Sequence, residues 1–253
     1  MRIKFNKEIE FIIKKFFLPE KYLLKKRLTR AIKNNYENEL TILDKIINKN
    51  LDSIDVGVYR GVYSYRLSQI TKHVHAFEPN PLIYPYLEKN LTKIIKNLTL
   101  SNYALSNSNG VVNLNIPNRS KSIFKNNVEE LYKLGCASIH DENLFEDYKS
   151  IEVNKTTLDE TLKDINIGFI KIDVEGHERE VVEGAKNLIK ICKPVLLVEI
   201  EKRHNKKPVM DTINFINQLG YSAFYCKNNE LNSIEKLKKF DQEINFYFIP
   251  LNL

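Results

Sequence analysis

Short β-type runs alternate with helical patterns from residue 53 to the end of the chain, and no other feature limits the possible folds as much. Residues 53–57, 74–78, 98–105, 169–173, 194–200, 221–226 and 243–249 read as strands. Between them, 63–70, 82–95, 178–191 and 209–219 carry helical spacing. Val181, Val182, Ala185, Leu188 and Ile189 share one face of the third helix, and Gly220 stops the fourth. Residues 110–116 read as a further strand or hairpin arm, followed by a polar stretch, 117–150, without a clear period and too long for a plain connector. Strands separated by helices pair mostly in parallel, with right-handed crossovers and both faces of the sheet covered. The expected architecture is a doubly wound α/β sheet.

Composition agrees with one large domain. A chain of 253 residues that is 43% hydrophobic and 28% charged, with 8 Gly and 8 Pro, buries a real core, which excludes disordered, collagen-like and small disulfide-scaffold classes. Cys136, Cys192 and Cys226 lie far apart, without a Cys-x-x-Cys pair, and read as reduced core residues. No apolar run is long enough to span a membrane, and the run at 9–18 is interrupted by Glu10, Lys14 and Lys15 and lacks a signal-peptide cleavage site, so a cytoplasmic protein is expected.

The formal charge of +7 is unevenly placed: thirteen Lys and Arg against six Asp and Glu fall within residues 1–50, leaving the remainder balanced. This basic segment reads as helical, with Phe11, Ile12, Phe16 and Phe17 at helical spacing, a break at Pro19, and a second apolar series of Leu40, Ile42, Leu43, Ile46 and Ile47. It is treated as a preface (1–50) to the main domain (51–253). Helices packed on that domain with solvated lysines account for it; the functional alternative is docking to an anionic surface, either a membrane face or a phosphate-bearing substrate. A neutral body behind a basic preface is a weaker case for nucleic acid than a basic groove across the fold.

In doubly wound sheets, ligands bind beyond the carboxyl ends of the strands. The first such end is Asp55-Val56-Gly57-Val58-Tyr59-Arg60-Gly61, where two glycines four apart permit a tight turn and close approach to a ligand, and Asp55 is an acceptor. The segment is neither Gly-x-Gly-x-x-Gly nor a phosphate loop, which points away from pyrophosphate ligands and from a nicotinamide cofactor. The second end is Phe77-Glu78-Pro79-Asn80-Pro81. Glu78 follows the glycine turn by about twenty residues, the spacing at which an acid holds ribose hydroxyls.

Together with Asn102-Tyr103-Ala104-Leu105-Ser106, Thr157-Leu158-Asp159 and Lys171-Ile172-Asp173-Val174-Glu175-Gly176-His177-Glu178, these segments resemble the FkbM family of S-adenosylmethionine-dependent methyltransferases over roughly residues 53–201. Val58-Tyr59 stands where the family usually has Ala-Asn, a departure that leaves the glycine turn intact. The resemblance implies a Rossmann-like class I methyltransferase fold: a mostly parallel seven-stranded sheet whose last strand inserts antiparallel, preceded by N-terminal helices. It places Asp55, Gly57 and Gly61 around the methionine part of S-adenosylmethionine, Glu78 on its ribose, Asn102 and Ala104 near its adenine, and the backbone amides of Tyr63 and Ser64 at its carboxylate.

Asp173, at another strand end, is expected at the rim where methyl transfer occurs, with Glu199 and His204 converging on it. Asp173 or His204 is a candidate general base; alternatively, Asp173 and Glu199 hold Mg or Mn that acidifies the acceptor. Glu178 reads as a first-turn helix acid, while His177 and Glu175 divide evenly between chemistry and capping. The acceptor implied by the resemblance is a sugar hydroxyl, in a nucleotide sugar or a polysaccharide or glycan precursor. Arg119, Lys121, Lys125 and Ser138 of the polar stretch are candidates for its wall or lid, the alternative being a variable insertion without a catalytic role. A nucleic-acid methyltransferase using the basic preface is the rival.

Overall fold

The computed structural model describes residues 18–34, 37–117, 137–139, 148–202, 208–237 and 244–251. A central eight-stranded sheet has the order β10-β9-β11-β8-β7-β1-β2-β3. Its strands are β1 (Asp52–Val56), β2 (Val74–Phe77), β3 (Leu98–Ser101), β7 (Ile167–Ile172), β8 (Val195–Glu199), β9 (Tyr221–Lys227), β10 (Glu230–Ser233) and β11 (Asn245–Pro250). The neighbours β3-β2-β1-β7-β8 are parallel, and β11 lies antiparallel between β8 and β9. The antiparallel last strand is therefore as expected. The eighth strand is β10, which returns from β9 through Asn228 and Asn229, both at positive φ. A two-residue turn of this kind suits asparagine.

Alternation along the strands decides what covers each face. In β7, Ile170 and Ile172 point to a core closed by α6 (Glu178–Glu183), α7 (Lys186–Cys192) and α8 (Val209–Asn217). Phe169 points the other way, into a cluster with Tyr63 and Leu67 of α3 (Val62–Leu67), Tyr247, and Leu40, Ile42, Leu43 and Ile47. The apolar series at 40–47 is a 3-10 turn followed by α2 (Leu43–Ile46). Residues 11–17 of the expected first helix lie outside the described residues. Pro19 opens α1 (Glu20–Lys33), whose Leu24 and Leu28 pack with Leu87 and Leu91 of α4 (Tyr84–Ile94). Fully burying each such leucine contributes roughly 1.5–3 kcal/mol.

Two expectations change. The run at 98–105 is not one strand: it leaves the main sheet after Ser101, and β4 (Ala104–Leu105) joins a second sheet, β4-β6-β5, with β5 (Gly110–Pro117) and β6 (Tyr148–Thr156). The helix expected at 178–191 breaks between α6 and α7 at Gly184, and only a glycine fits there, since a Cβ would lie 2.0 Å from the carbonyl oxygen of Ser106. Thr157 caps α5 (Leu158–Thr161) by accepting a hydrogen bond from Glu160 N–H, and Asp159 accepts from Asn187 and Leu188 N–H, fixing the start of α7.

Candidate functional site

A cavity of about 280 Å³ opens at the carboxyl ends of β1, β2, β7 and β8, on the side where doubly wound sheets bind ligands. Its floor is the turn after β1. Gly57, at φ 85°, is held by its N–H to Phe77 O at 3.0 Å, and a Cβ there would fall 1.9 Å from Asp173 O. Only glycine permits this approach between the tips of β1 and β7. Gly61 then caps α3.

Glu78 is buried at the end of β2 and lines the cavity. Its Oε2 accepts a hydrogen bond from Tyr59 N–H at 2.8 Å and its Oε1 one from Asn80 N–H at 2.9 Å. Burial nevertheless pushes its carboxyl up to about 7. Each oxygen is thereby oriented by a backbone donor and keeps a lone pair for a hydroxyl, which is the arrangement a ribose diol requires. With its amide nitrogen turned toward the preceding loop, Asn102 donates to Glu78 O at 3.0 Å and Pro79 O at 3.3 Å. It thus braces the loop carrying Glu78, while Tyr103 and Ala104 line the cavity.

Asp55 is buried behind the floor. Its Oδ2 accepts a hydrogen bond from Ser64 Oγ at 2.5 Å, and burial raises its carboxyl to about 7 against the pull of Ser64 and Lys171. Asp55, Gly61, Tyr63, Ser64 and Asn102 stand behind the lining, whereas Gly57, Glu78, Ala104, Asp173 and Glu199 form part of it.

At the rim, Asp173 and Glu199 come together, and both face a residue that the sequence reading passed over. Lys171 Nζ lies 3.7 Å from Asp173 Oδ2 and 3.6 Å from Glu199 Oε2, with its side chain 1% exposed. The same ammonium sits 5.0 Å from the centre of the Tyr63 ring. Burial pushes Glu199 up to about 8, with repulsion from Asp173 adding to it and Lys171 opposing. The expected Mg or Mn site does not fit, because a divalent ion between these carboxylates would meet the lysine ammonium. Among the described residues, no group of three His, Cys, Asp or Glu side chains is arranged to hold a metal. The signal available in the sequence was a lysine at the inward phase of the apolar run Phe169-Ile170-Lys171-Ile172.

Glu175 lines the cavity at φ 55°, and its carbonyl accepts a hydrogen bond from Ser138 Oγ at 2.9 Å. That contact seats Ala137 and Ile139 of the polar stretch on the cavity wall. Arg119, Lys121, Lys125 and His204 lie outside the described residues. Glu178 accepts from Gly176 N–H at 2.7 Å, a capping role, and His177 Nε2 pairs with Ser106 Oγ at 3.0 Å, away from the rim. Glu37, which precedes the 3-10 turn, lines the cavity although it belongs to the basic preface.

The strand order and the cavity at the strand ends define the class I methyltransferase fold. A family model for the methyltransferase FkbM domain matches residues 55–223. The chain belongs to the FkbM methyltransferase family. Among solved structures, methyltransferase FkbM from Methylobacillus flagellatus KT is similar, with 16% identity and a TM-score of 0.53 over 86% of this chain and 52% of that one. This chain therefore spans about half the length of that protein. A SAM-dependent methyltransferase from Aquifex aeolicus matches at 13% identity and TM-score 0.44, covering 90% of this chain and 96% of that one. A protein from Streptococcus mutans in complex with SAH matches at 14% and 0.42, covering 83% and 93%. No curated protein matches the chain.

Proposed function

We propose that the chain transfers a methyl group from S-adenosylmethionine to a hydroxyl of a sugar. The observation that carries the cofactor half of this reading is Glu78, a buried carboxylate bordering the cavity with one backbone N–H on each oxygen. Glu78 would hold the ribose, and the wall formed by Tyr103 and Ala104 would hold the adenine. When bound there, S-adenosylmethionine supplies an electrophilic methyl carbon on sulfonium.

The chain's own residues would then position the acceptor and take its proton. Glu199 lines the cavity with its carboxyl raised to about 8, so it holds its proton at neutral pH and, as pH rises through about 8, becomes a stronger base than an ordinary carboxylate, able to accept the proton that leaves the hydroxyl as the oxygen attacks. Asp173 adjoins it and faces the tip of β1. Placing the acceptor oxygen in line with the methyl group supplies much of the acceleration in such a displacement.

A sugar acceptor is supported by the carboxylates Asp173, Glu175 and Glu199, which line the same cavity and can receive hydroxyl hydrogen bonds. A nucleotide-activated sugar or a glycan precursor presents such hydroxyls. No helix among the described residues is long and apolar enough to cross a membrane. Purified protein incubated with S-adenosylmethionine and a panel of nucleotide sugars is expected to add one methylene mass to one sugar. Transfer to amines or nucleic acid, with every sugar left unmodified, would remove the sugar assignment.

A further inference from the structure

Lys171 is the one charged side chain among the described residues that is both 1% exposed and placed between two rim carboxylates. Its Nζ has no hydrogen-bond partner, the nearest carboxylate oxygens standing at 3.6 and 3.7 Å. An isolated ammonium in such a place would be costly, so the charge has to be compensated by its surroundings. The surroundings are anionic from every packed element. Asp173 extends from β7 and Glu199 ends β8, while Asp55 on β1 and Glu37 ahead of the 3-10 turn add attraction, and Tyr63 of α3 presents its ring face. Glu39, buried beneath, is weakly stabilised by the same ammonium. Although burial opposes its charge, these carboxylates keep Lys171 protonated above the usual lysine range. Glu199 is faced in turn by Asp173, Lys171, Glu175 and Glu201.

We propose that Lys171 is a positioning residue: its buried ammonium acts as a fixed internal cation that sets Asp173 and Glu199 across the rim and takes the place between them that a divalent metal ion would need. The lysine never reaches the substrate. It acts through the two carboxylates, holding their separation and keeping Glu199 from rising further out of the useful range. The packing explains why a lysine can serve. Its position on β7 shares the phase of Phe169, and the face is closed by Tyr63 and the 37–47 segment, so the stem is packed and only the ammonium end meets acids. The idea deepens the proposed reaction, but the following test does not depend on it.

Carbon-13 labelling of side-chain carboxyls identifies the Glu199 resonance as the one missing in Glu199→Gln. In Lys171→Met, which keeps the volume of the stem, the Glu199 midpoint is expected to rise by about one pH unit or more, as removal of a close opposite charge requires. Lys171→Arg should return it toward the wild-type value. A midpoint unchanged in Lys171→Met would overturn the proposal. A second measurement does not rely on a Lys171 variant: the wild-type melting temperature should not respond to millimolar Mn²⁺, Mg²⁺ or chelator. Stabilisation of the wild type by Mn²⁺, lost in Asp173→Asn, would show that a metal holds the rim and would equally overturn it. Both readouts stand even if S-adenosylmethionine fails to bind.

Discussion

Two glutamates end neighbouring regions of the same sheet and are held in opposite ways. Glu78, beyond β2, has each oxygen tied to a backbone N–H, at 2.8 and 2.9 Å. Glu199, at the end of β8, is held by a lysine ammonium at 3.6 Å. Backbone donors cannot leave or titrate, so the Glu78 side of the cavity is a fixed frame suited to gripping a constant ligand. The Glu199 side is held by charge, and its proton affinity depends on its neighbours, which suits proton transfer.

The largest effect is expected at the turn joining the two sides. Gly57→Ala places a methyl group within the Asp173 carbonyl and strains a positive φ, costing about 3 kcal/mol or more. At ~2–4 °C per kcal/mol the melting temperature should fall by about 6–12 °C. An unchanged melting temperature would mean that the tips of β1 and β7 are not in contact.

Next, Glu78→Ala should weaken S-adenosylmethionine binding about 100-fold, or about 2.7 kcal/mol, the worth of a pair of charge-assisted hydrogen bonds. Glu199→Ala should alter that affinity far less, and calorimetry on both variants compares the two sides directly. Equal losses would erase the distinction between them.

A separate effect follows from protonation. Asp55 and Glu78 are raised to about 7 and Glu199 to about 8, so the folded chain retains protons that the unfolded chain has released. Stability from these groups is fully present below the unfolded carboxyl range and is lost as pH rises through about 7 to 8. Thermal melts of the wild type should therefore decline from mildly acidic to mildly basic pH, and Glu199→Gln should flatten the upper part of that decline. Smallest of all, Ser64→Ala removes one hydrogen bond to Asp55 and should lower the melting temperature by ~2–4 °C, about 1 kcal/mol.

Much of the frame was legible because it rests on local periodicity and on glycine and acid placement at strand ends. The runs around Asp55, Phe77, Ile170 and Leu197 all became strands of the main sheet, and the antiparallel final strand followed from the family resemblance. What escaped notice depends on partners distant in sequence. Strand β6 alternates Ile151 and Val153 with polar residues at the end of a long polar stretch, and its pairing with β5 is what orders it. The need for glycine at 184, where the helix breaks, comes from Ser106, far away in the chain. Helix α1 hides Leu24, Leu28 and Ala31 among cations, so its buried stripe is narrow. In the sequence Lys171 is only one member of a motif, because nothing local reveals that Tyr63 and the 37–47 segment will close over it.

The central claim is that the cavity beyond β1 and β2 binds an adenosine-bearing sulfonium or its demethylated product. Isothermal titration of the wild type with S-adenosylhomocysteine tests it most directly. One-to-one saturable binding that is lost in Glu78→Ala is the predicted result; the absence of heat with wild-type protein at millimolar ligand, repeated with S-adenosylmethionine, would contradict it.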